Sequence, residues 1–336
     1  MTEQMQAIRL TEKSSVDNLK PVWHERPQVK SGYVLVKVKA FGVNESEITS
    51  RKGESSADFS FPRILGIEGV GVIEEVSGDS DFKSGQQVAT MMGGMGRSID
   101  GSYAEYMLVN EKNVISFESD LSWDIIGALP EMLQTAYGSL MQGLQLKRDD
   151  VLLIHGGTST VGVMAAVLAK QVGAKIISTT RNADKLIDLK KMGVTYPMLD
   201  DTQLSDNIRK IVPEGIDKVL ELVGFTSLFK DMKLLKKGGL TCFTGALDGQ
   251  WRIDHFTPFM IPSGTFLTSY AGNAQDLPAA VFSEVLESIK NKELEAPIAK
   301  VYQGLENVKQ AQMNLESGKF CLLYTSDAAD EGLGVD

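Results

Sequence analysis

Residues 151–162 have the sequence Val-Leu-Leu-Ile-His-Gly-Gly-Thr-Ser-Thr-Val-Gly. The compact apolar run at the start predicts a strand, and residues 161–173 predict a helix. A G-x-G-x-x-G template placed on Gly157 matches the first and third glycines, with Ser159 at the second position. This strand–turn–helix context predicts a dinucleotide-binding turn, in which Gly157 makes the tight turn and Gly162 lets the helix pack closely.

The start of this predicted helix is a candidate phosphate site, because free backbone N–H groups at a helix N-terminus attract anions. We expect the N–H groups of residues 159–161 to face a pyrophosphate. The candidate cofactor-binding residues of the turn are Gly157, Thr158, Ser159, Thr160, Val161 and Gly162. The alternative is an ordinary glycine-rich turn in an α/β sheet that binds no ligand.

Strands and helices alternate after the turn. The further predicted strands are Lys175–Thr179, Tyr196–Leu199, Lys218–Leu222, Leu240–Phe243 and Thr265–Ser269. A helix is predicted over Ala183–Met192, and another amphipathic helix over Leu277–Ile289. Such alternation is typical of a doubly wound parallel sheet with helices on both faces, the Rossmann arrangement.

The first 120 residues have a different pattern. Gly32–Ala40 alternates apolar and polar residues, as a strand with one solvated face does. The further short strands predicted here are Gly69–Val76, Gly85–Thr90 and Tyr103–Val109. The segment Leu121–Gly143 then shows helical spacing, with a break at Pro130. These residues predict a β-sandwich or β-barrel domain before the parallel sheet.

The end of the second strand of the parallel sheet indicates which nicotinamide cofactor fits. NAD-binding proteins place Asp or Glu there to hold the ribose 2′-hydroxyl. This sequence instead has Thr180 and Arg181, with Lys185 one turn later. Arg binds a 2′-phosphate in a bidentate manner and Lys adds a second charge, so we expect NADPH. The alternative is that both cations are solvated surface charges.

Composition narrows the possible classes of protein and of partner. Of the 336 residues, 43% are hydrophobic and 23% are charged, which is typical of a globular protein. The net charge of −10 argues against nucleic acid as a partner. The two cysteines, Cys242 and Cys321, form no disulfide framework. The sequence contains neither a recognisable signal peptide nor a long apolar run, so we expect a cytoplasmic protein that does not cross a membrane.

The sequence resembles the medium-chain dehydrogenase/reductase superfamily, and within it the zinc-independent, zeta-crystallin-like quinone oxidoreductases. The resemblance runs from Met5 to about Phe320. The motifs that carry it are Phe-Gly-Val-Asn-Glu-Ser-Glu (41–47), Ile-Leu-Gly-Ile-Glu-Gly-Val-Gly (64–71), Ala-Leu-Pro…Thr-Ala-Tyr-Gly (128–138) and His-Gly-Gly-Thr-Ser-Thr-Val-Gly (155–162).

The resemblance implies an α/β protein with two domains. A Rossmann domain is expected over residues 129–265. A GroES-like β-barrel substrate domain, made by both chain ends, is expected over residues 1–128 and 266–323, with the cleft between the domains.

The resemblance also argues against a metal. The zinc-dependent alcohol dehydrogenases of the family carry a cysteine ligand at the position of Asn44 and a histidine ligand at the position of Ile67, and neither replacement is a plausible zinc ligand. The chain has three histidines in all, His24, His155 and His255, each of which we expect to be a surface or turn residue.

Several site residues follow from the resemblance alone. The expected catalytic residues are Asn44 beside the nicotinamide, Tyr137 as a proton or hydrogen-bond donor, and Arg51. A packed aromatic role for Tyr137 and a surface role for Arg51 are equally open. The expected cofactor-binding residues outside the turn and the second strand are Thr135, Val223, Gly224, Thr244, Gly245, Ala246, Phe266 and Thr268.

The implied activity is NADPH-dependent, zinc-independent hydride transfer to a quinone or an α,β-unsaturated carbonyl. Two alternatives stay open: an enoyl-thioester reductase, and a non-catalytic NADPH-binding redox sensor. A homodimer is expected by analogy with relatives.

The end of the chain departs from the family pattern. After Leu323 the sequence loses the period of a strand, and we expect residues 324–336 to be a non-native or disordered tail. In that case the last strand of the first domain would be incomplete.

Overall fold

The computed structural model describes residues 3–55, 59–317 and 323–327, the last range by its backbone alone. The chain divides into two compact units. Unit 1 contains the residues up to Gln134 and those from Asn273 onward, and unit 2 is Thr135–Gly272. Both boundaries lie a few residues later than the expected positions 128 and 265.

The described strands are, in chain order, β1 (Gln4–Ala7), β2 (Arg9–Leu10), β3 (Val22–Glu25), β4 (Tyr33–Val43), β5 (Arg63–Ile64), β6 (Glu68–Val76), β7 (Gln87–Met91), β8 (Tyr106–Asn110), β9 (Val114–Ser116), β10 (Val151–His155), β11 (Lys175–Thr180), β12 (Tyr196–Leu199), β13 (Ile216–Glu221), β14 (Leu235–Phe243), β15 (Phe266–Ser269), β16 (Ile298–Gln303) and β17 (Leu323–Asp327). The described α-helices are α1 (Glu45–Lys52), α2 (Trp123–Gly127), α3 (Pro130–Gly138), α4 (Thr160–Val172), α5 (Leu186–Lys191), α6 (Leu204–Ile211), α7 (Phe225–Met232), α8 (Ala279–Lys290) and α9 (Val308–Glu316).

The main sheet of unit 1 has seven strands. Six lie in the order β16-β17-β4-β6-β7-β9, and β8 pairs with β4. Every ladder is antiparallel except that between β16 and β17. Strand β4 is central and shows the predicted alternation in part: Val34, Val36 and Val38 are buried and Lys37 is exposed, but Leu35 on the opposite face is also fully buried. Both chain ends therefore contribute to one sheet, as predicted.

The core of unit 1 forms around these valines. Phe41 and Tyr103 are both fully buried, and their ring centroids lie 4.6 Å apart. Aromatic contacts of this kind add specific packing to the burial of apolar surface. The segment 121–143 breaks where predicted, because Pro130 is the first residue of α3, a position where its missing N–H costs nothing.

Unit 2 contains a six-stranded sheet in the order β12-β11-β10-β13-β14-β15. All five ladders are parallel. The direction of the strand order reverses between β10 and β13, and right-handed crossovers then place helices on both faces. Unit 2 is the predicted doubly wound sheet. It ends later than position 265 because β15 is the edge strand of the same sheet.

The end of the described chain differs from the prediction. Leu323–Asp327 forms β17, which lies between β16 and β4, with Tyr324 opposite Val43 and Asp327 opposite Ala40. The backbone hydrogen bonds of a central strand do not require side-chain alternation, and this explains why the sequence pattern missed it. Whether the tail is native stays a prediction, and residues 328–336, like Lys319 and Cys321, lie outside the described residues.

None of the described helices combines the length and the hydropathy that a membrane-spanning helix needs.

Candidate functional site

The glycine turn of unit 2 is closely packed. A Cβ on Gly157 would lie 1.7 Å from Oγ of Ser178, and a Cβ on Gly162 would lie 2.5 Å from the carbonyl oxygen of Gly156. A side chain at either position would displace neighbouring atoms. The two glycines are therefore required by close approach within the turn, as the template predicts.

Ser159 stabilises this turn from within. Its hydroxyl donates to the Gly156 carbonyl at 2.7 Å and accepts from the Gly162 N–H at 3.1 Å, so Ser159 is the N-cap of α4. The Ser159 N–H also donates to Gly156. Because the first N–H groups of a helix have no intrahelical acceptor, Thr160 and Val161 are the donors that can face an anion here. Ser159, predicted as a third donor, is already bonded.

The two predicted phosphate-binding cations differ in their surroundings. Thr180, the last residue of β11, is buried, and Arg181 immediately after it is exposed. Lys185 forms an ion pair with Asp188 at 3.1 Å, between exposed groups three residues apart. Such a pair is weak and exchanges readily with solvent. Arg181 is therefore the better placed of the two cations to bind a phosphate.

The loops that follow β13 and β14 are joined at Glu221. Its backbone carbonyl accepts the N–H groups of Thr244 at 2.9 Å and of Gly245 at 3.2 Å. Its carboxylate oxygen Oε1 accepts the N–H groups of Val223 at 2.8 Å and of Gly224 at 3.0 Å. Four of the predicted cofactor residues are thus brought together at the carboxyl edge of the sheet, where open α/β sheets bind ligands.

Ala246 continues the second of these loops, and its carbonyl accepts the N–H of Gly249 at 2.8 Å. Phe266 and Thr268 lie on β15, opposite Leu240 and Cys242 of β14. Phe266 is exposed and Thr268 is half-buried. Only Thr268 lies towards the carboxyl end of the sheet.

Thr135 and Tyr137 lie on α3, and both are half-buried. A Cβ on the next residue, Gly138, would lie 1.9 Å from the ring of Tyr270. The ring of Tyr270 therefore packs directly on α3 beside Tyr137. Tyr270 could not be predicted from the sequence, because its contact depends on the approach of the chain after β15.

His155 is buried, so the prediction of a surface or turn position was wrong. Its Nδ1 lies 2.5 Å from Oδ2 of Asp231, and its Nε2 lies 3.2 Å from Oδ2 of Asp200. Burial lowers the pKa of His155, but the hydrogen bonds to Asp200 and Asp231 outweigh it and raise the pKa to about 10. Burial, followed by the charge of Asp231, raises the pKa of Glu221 to about 8.

Ligand atoms of His155, Glu221 and Asp231 lie within 4.8 Å of one another, the spacing that a metal ion would need. Both ring nitrogens of His155 already face carboxylates, however, and the imidazolium supplies the positive charge that the carboxylates need. His155, Asp231 and Asp200 form a charge cluster around a protonated histidine. Glu221 lies beside this cluster, and its Oε2 has no hydrogen-bond partner among the described residues.

In unit 1, Asn44 is the N-cap of α1 and is held by two buried carboxyl groups. Its backbone N–H donates to Glu47 at 2.9 Å, and its side-chain amide donates to Oε1 of Glu68 at 2.7 Å. Glu47 also accepts the N–H of Ile67 at 2.9 Å. The two positions that correspond to zinc ligands in the family, Asn44 and Ile67, are therefore bonded to one carboxyl group.

Burial dominates the titration of both carboxyl groups. It raises the pKa of Glu47 to about 7, against the opposing effect of the backbone hydrogen bonds. The pKa of Glu68 is raised well above its ordinary value by burial and then by the charge of Glu131. Glu47 belongs to the motif 41–47 and Glu68 to the motif 64–71, but only the tertiary contacts show that both hold Asn44.

Arg51, predicted as a catalytic residue with a surface role left open, is buried, with 3% of its side chain exposed, so the surface alternative was wrong. Its Nε donates to Gln312 at 2.8 Å, its Nη1 donates to the Ser14 carbonyl at 2.9 Å, and its Nη2 lies 2.7 Å from Glu316. All three partners belong to unit 1 itself. The guanidinium is thus committed to internal contacts that join α1 and α9.

Two family models match the chain: the alcohol dehydrogenase GroES-like domain over residues 30–119, and the zinc-binding dehydrogenase domain over residues 160–289. The quinone oxidoreductase of Homo sapiens is 32% identical over 226 residues, which are 66% of this chain and 66% of that protein. The synaptic vesicle membrane protein VAT-1 homolog of Danio rerio is 32% identical over 243 residues, 71% of this chain and 49% of that protein. The matched segment thus spans just under two thirds of the first relative and about half of the second.

The fold is also that of a solved structure. Mycobacterial Rv1454c, solved in complex with NADPH, superposes with a TM-score of 0.81 and covers 96% of this chain and 99% of that chain. At 22% identity this likeness shows the fold alone.

A GroES-like domain combined with a Rossmann-type dehydrogenase domain defines the class of protein. The chain belongs to the medium-chain dehydrogenase/reductase superfamily. Within this superfamily it belongs to the zeta-crystallin-like quinone oxidoreductase branch. The predicted fold class is confirmed.

Proposed function

We propose that this protein is an NADPH-dependent, zinc-independent reductase that transfers hydride to a quinone or an α,β-unsaturated carbonyl. The observation that carries the proposal is the pair of residues at the end of β11. There the buried Thr180 is followed by the exposed Arg181, at the position where NAD-binding proteins carry a carboxylate. A guanidinium at this point fits the 2′-phosphate that distinguishes NADPH from NADH.

The glycine turn fits the pyrophosphate of the same cofactor. Gly157 and Gly162 leave no room for a side chain, so the turn takes the tight form that a dinucleotide-binding turn requires. Thr160 and Val161 offer N–H groups at the positive end of α4. The NADPH complex of the mycobacterial structural neighbour is consistent with this assignment.

When bound, the nicotinamide supplies a hydride to the acceptor. The residues of this chain hold it in place and bind the acceptor. We assign Val223, Gly224, Thr244, Gly245 and Ala246 to its nicotinamide half, because one carboxyl-edge network includes their loops. The side-chain amide of Asn44 has two hydrogens, and one of them is donated to Glu68. We assign the other to a hydrogen bond with the reacting groups.

Tyr137 remains the proposed donor of a proton or hydrogen bond to the developing oxyanion. Arg51 is left out of the proposed site, because its guanidinium is buried among Gln312, Ser14 and Glu316.

Zinc independence is supported by the residue types at the two ligand positions. An amide at residue 44 and an isoleucine at residue 67 offer neither the thiolate nor the imidazole that catalytic zinc requires. Without a Lewis acid, the acceptor must already be electrophilic. Quinones and α,β-unsaturated carbonyls meet this condition, because conjugation delocalises the charge that hydride transfer produces.

Binding of NADPH and NADH by fluorescence titration tests the cofactor assignment. We expect NADPH to bind more tightly than NADH to the wild-type protein, and Arg181→Ala to remove that difference. Arg209→Ala, which changes another exposed arginine of unit 2, is the matched control and should preserve it. Equal affinities for the two nucleotides in the wild-type protein would contradict the phosphate assignment.

Oxidation of NADPH with a panel of quinones and enones tests the proposed hydride transfer to an acceptor. The panel includes an enoyl thioester, because an enoyl-thioester reductase would share the fold and the cofactor. The similarity to a VAT-1 homolog, named for a membrane rather than for a reaction, favours a non-catalytic NADPH-binding protein as the second candidate. NADPH binding without turnover of any acceptor would select that candidate.

We further propose that the protein works in the cytoplasm as a homodimer. The small number of cysteines, two in 336 residues, fits a reducing compartment. The edge strand β15 of the parallel sheet supports the dimer.

A further inference from the structure

The charge cluster of unit 2 lies next to the loops assigned to the nicotinamide. Glu221 is fully buried and ends β13. Through Oε1 it accepts hydrogen bonds from Val223, Gly224 and the hydroxyl of Ser227, the last at 3.0 Å. Through its backbone carbonyl it accepts those of Thr244 and Gly245. One residue therefore orders the loops after two neighbouring strands.

The loop after β13 has a conformation that needs such support. Gly224 has φ 126° and ψ −158°, a region that residues with a side chain rarely adopt. A Cβ at this position would lie 2.2 Å from Oδ1 of Asp248, which belongs to the loop after β14. The Asp248 N–H donates to the Val223 carbonyl at 2.8 Å. The two loops thus pack backbone against backbone, and their shape depends on the hydrogen bonds that hold the Gly224 peptide.

The second carboxyl oxygen of Glu221, Oε2, has different surroundings. Oε2 is buried and has no hydrogen-bond partner among the described residues. A carboxylate oxygen of Glu221 lies within 4.8 Å of ligand atoms of His155 and Asp231. A buried carboxyl group without a partner is costly unless a neighbouring positive charge compensates it. The imidazolium of His155, held between Asp231 and Asp200, offsets part of this cost when Glu221 is ionised.

We infer that Glu221 is a positioning residue for the nicotinamide half of the cofactor, and that the His155–Asp231 pair keeps it in place. The inference rests on the proposed NADPH-dependent function. Glu221 has no exposed surface, so we assign it an action through the two loops and not through contact with the cofactor. It fixes the backbone of the two loops before the cofactor binds. The free energy of binding is then not reduced by the entropy cost of ordering these loops.

The two ends of the cofactor are assigned to different loops, so the binding of one end can be measured apart from that of the other. The 2′-phosphate end is assigned to Arg181 beyond β11, and the nicotinamide end to the loops beyond β13 and β14. Adenosine 2′,5′-bisphosphate carries only the first end. A change at Glu221 should therefore weaken NADPH binding and leave binding of adenosine 2′,5′-bisphosphate unchanged. A purely structural defect of unit 2 would weaken both.

The test compares wild type, Glu221→Ala and Glu221→Gln by titration with both ligands. Glu221→Ala should raise the Kd of NADPH about tenfold, since the loop N–H groups lose their acceptor. The Kd of adenosine 2′,5′-bisphosphate should stay within about twofold of wild type. Glu221→Gln keeps an acceptor oxygen for the loop and should restore most of the NADPH affinity. Ser227→Ala, which removes one hydroxyl donor, should change either Kd by less than about threefold.

Each other outcome has a definite meaning. Equal weakening of both ligands by Glu221→Ala, or no weakening of NADPH, would overturn the positioning role. Loss of NADPH affinity in the wild-type protein after treatment with a chelator would also overturn it, because a metal ion would then occupy the cluster. Failure of the wild-type protein to bind adenosine 2′,5′-bisphosphate would instead contradict the proposed function itself.

Discussion

The side-chain amide of Asn44 donates a 2.7 Å hydrogen bond to Glu68, a carboxyl group with no exposed surface. The other oxygen of Glu68 accepts the N–H of Glu131 at 2.8 Å. Glu68 thereby ties the cap of α1 to the first turn of α3. A buried acceptor shared by two donors is costly to remove, since both donors are left without a partner.

Replacement of Glu68 should therefore destabilise the protein. We expect Glu68→Ala to lower the free energy of unfolding by about 1–3 kcal/mol. Glu68→Gln keeps one acceptor oxygen and should cost less. Urea denaturation gives the midpoints, with Glu54→Ala, at an exposed glutamate of the same unit, as the control. If Glu68→Ala and Glu54→Ala unfold at the same urea concentration, the hydrogen bonds of Glu68 contribute nothing.

The stability of the protein should fall as the pH rises above neutrality. The pKa of His155 is about 10 in the folded state, against an ordinary value of 6.5. A raised pKa means that the folded state binds the proton more tightly, so this contribution is complete below pH 6.5 and is lost as the pH rises towards 10. The raised pKa of Glu221, about 8, acts in the same direction between its ordinary value of 4.5 and pH 8.

Urea midpoints measured between pH 6.5 and 10 check this prediction. The midpoint should fall across the range in the wild-type protein, and the fall should be shallower in His155→Asn. His255→Asn changes an exposed histidine of unit 2 at a positive φ that Asn tolerates, and should keep the wild-type slope. A slope in His155→Asn as steep as in the wild type would mean that other groups cause the pH dependence.

Arg51 and Lys52 form a matched pair, because both bind the carboxylate of Glu316. The side chain of Arg51 is 3% exposed and that of Lys52 is 43% exposed. Removal of a buried charge partner leaves unpaired polar groups, so Arg51→Ala should cost about 3 kcal/mol of unfolding free energy. Lys52→Ala should cost less than about 1 kcal/mol, as is usual for a solvated pair. A larger loss of unfolding free energy in Lys52→Ala than in Arg51→Ala would mean that the exposed pair contributes more than the buried one.

The exposed edge of β15 is where we expect a second copy of the chain to pair. Among the described residues, β15 pairs with β14 alone, and Phe266 on it is 59% exposed. An unprotected apolar edge strand is a template for pairing. Light scattering should give the mass of a dimer, and Phe266→Glu should shift the protein towards monomer. Ile187→Glu, at a residue of unit 2 that is 62% exposed, should not. A wild-type monomer at micromolar concentration would remove the dimer proposal.

The glycine turn could be predicted from sequence because its information is local. The apolar run of β10, the glycines at 157 and 162 and the apolar face of α4 lie within one short segment. The parallel sheet followed from the alternation of strands and helices for the same reason. The cap of α4 by Ser159 follows the local preference of serine for that position, although it changes which N–H groups are free.

The charged networks could not be predicted, because each joins residues far apart in the chain. His155, at the end of β10, meets Asp200 only after two further strands and Asp231 only after three. Arg51 meets Gln312 and Glu316 through the packing of α1 against α9. A lone histidine or arginine has no periodic pattern that marks it as buried. The surface or turn position expected for His155 and the surface alternative for Arg51 were therefore both wrong.

The division of the chain also sets an order of events during synthesis on the ribosome. Unit 2 is one continuous segment, so all six strands of its sheet have been synthesised once Gly272 has emerged. The sheet of unit 1 must wait, because β17 is inserted between β16 and β4 and comes from the far end of the chain. Domains generally fold as units while the chain is being made. Unit 2 should therefore be folded while the edge of β4 that β17 will cover is still unpaired, which makes that edge the point where a chaperone is most needed.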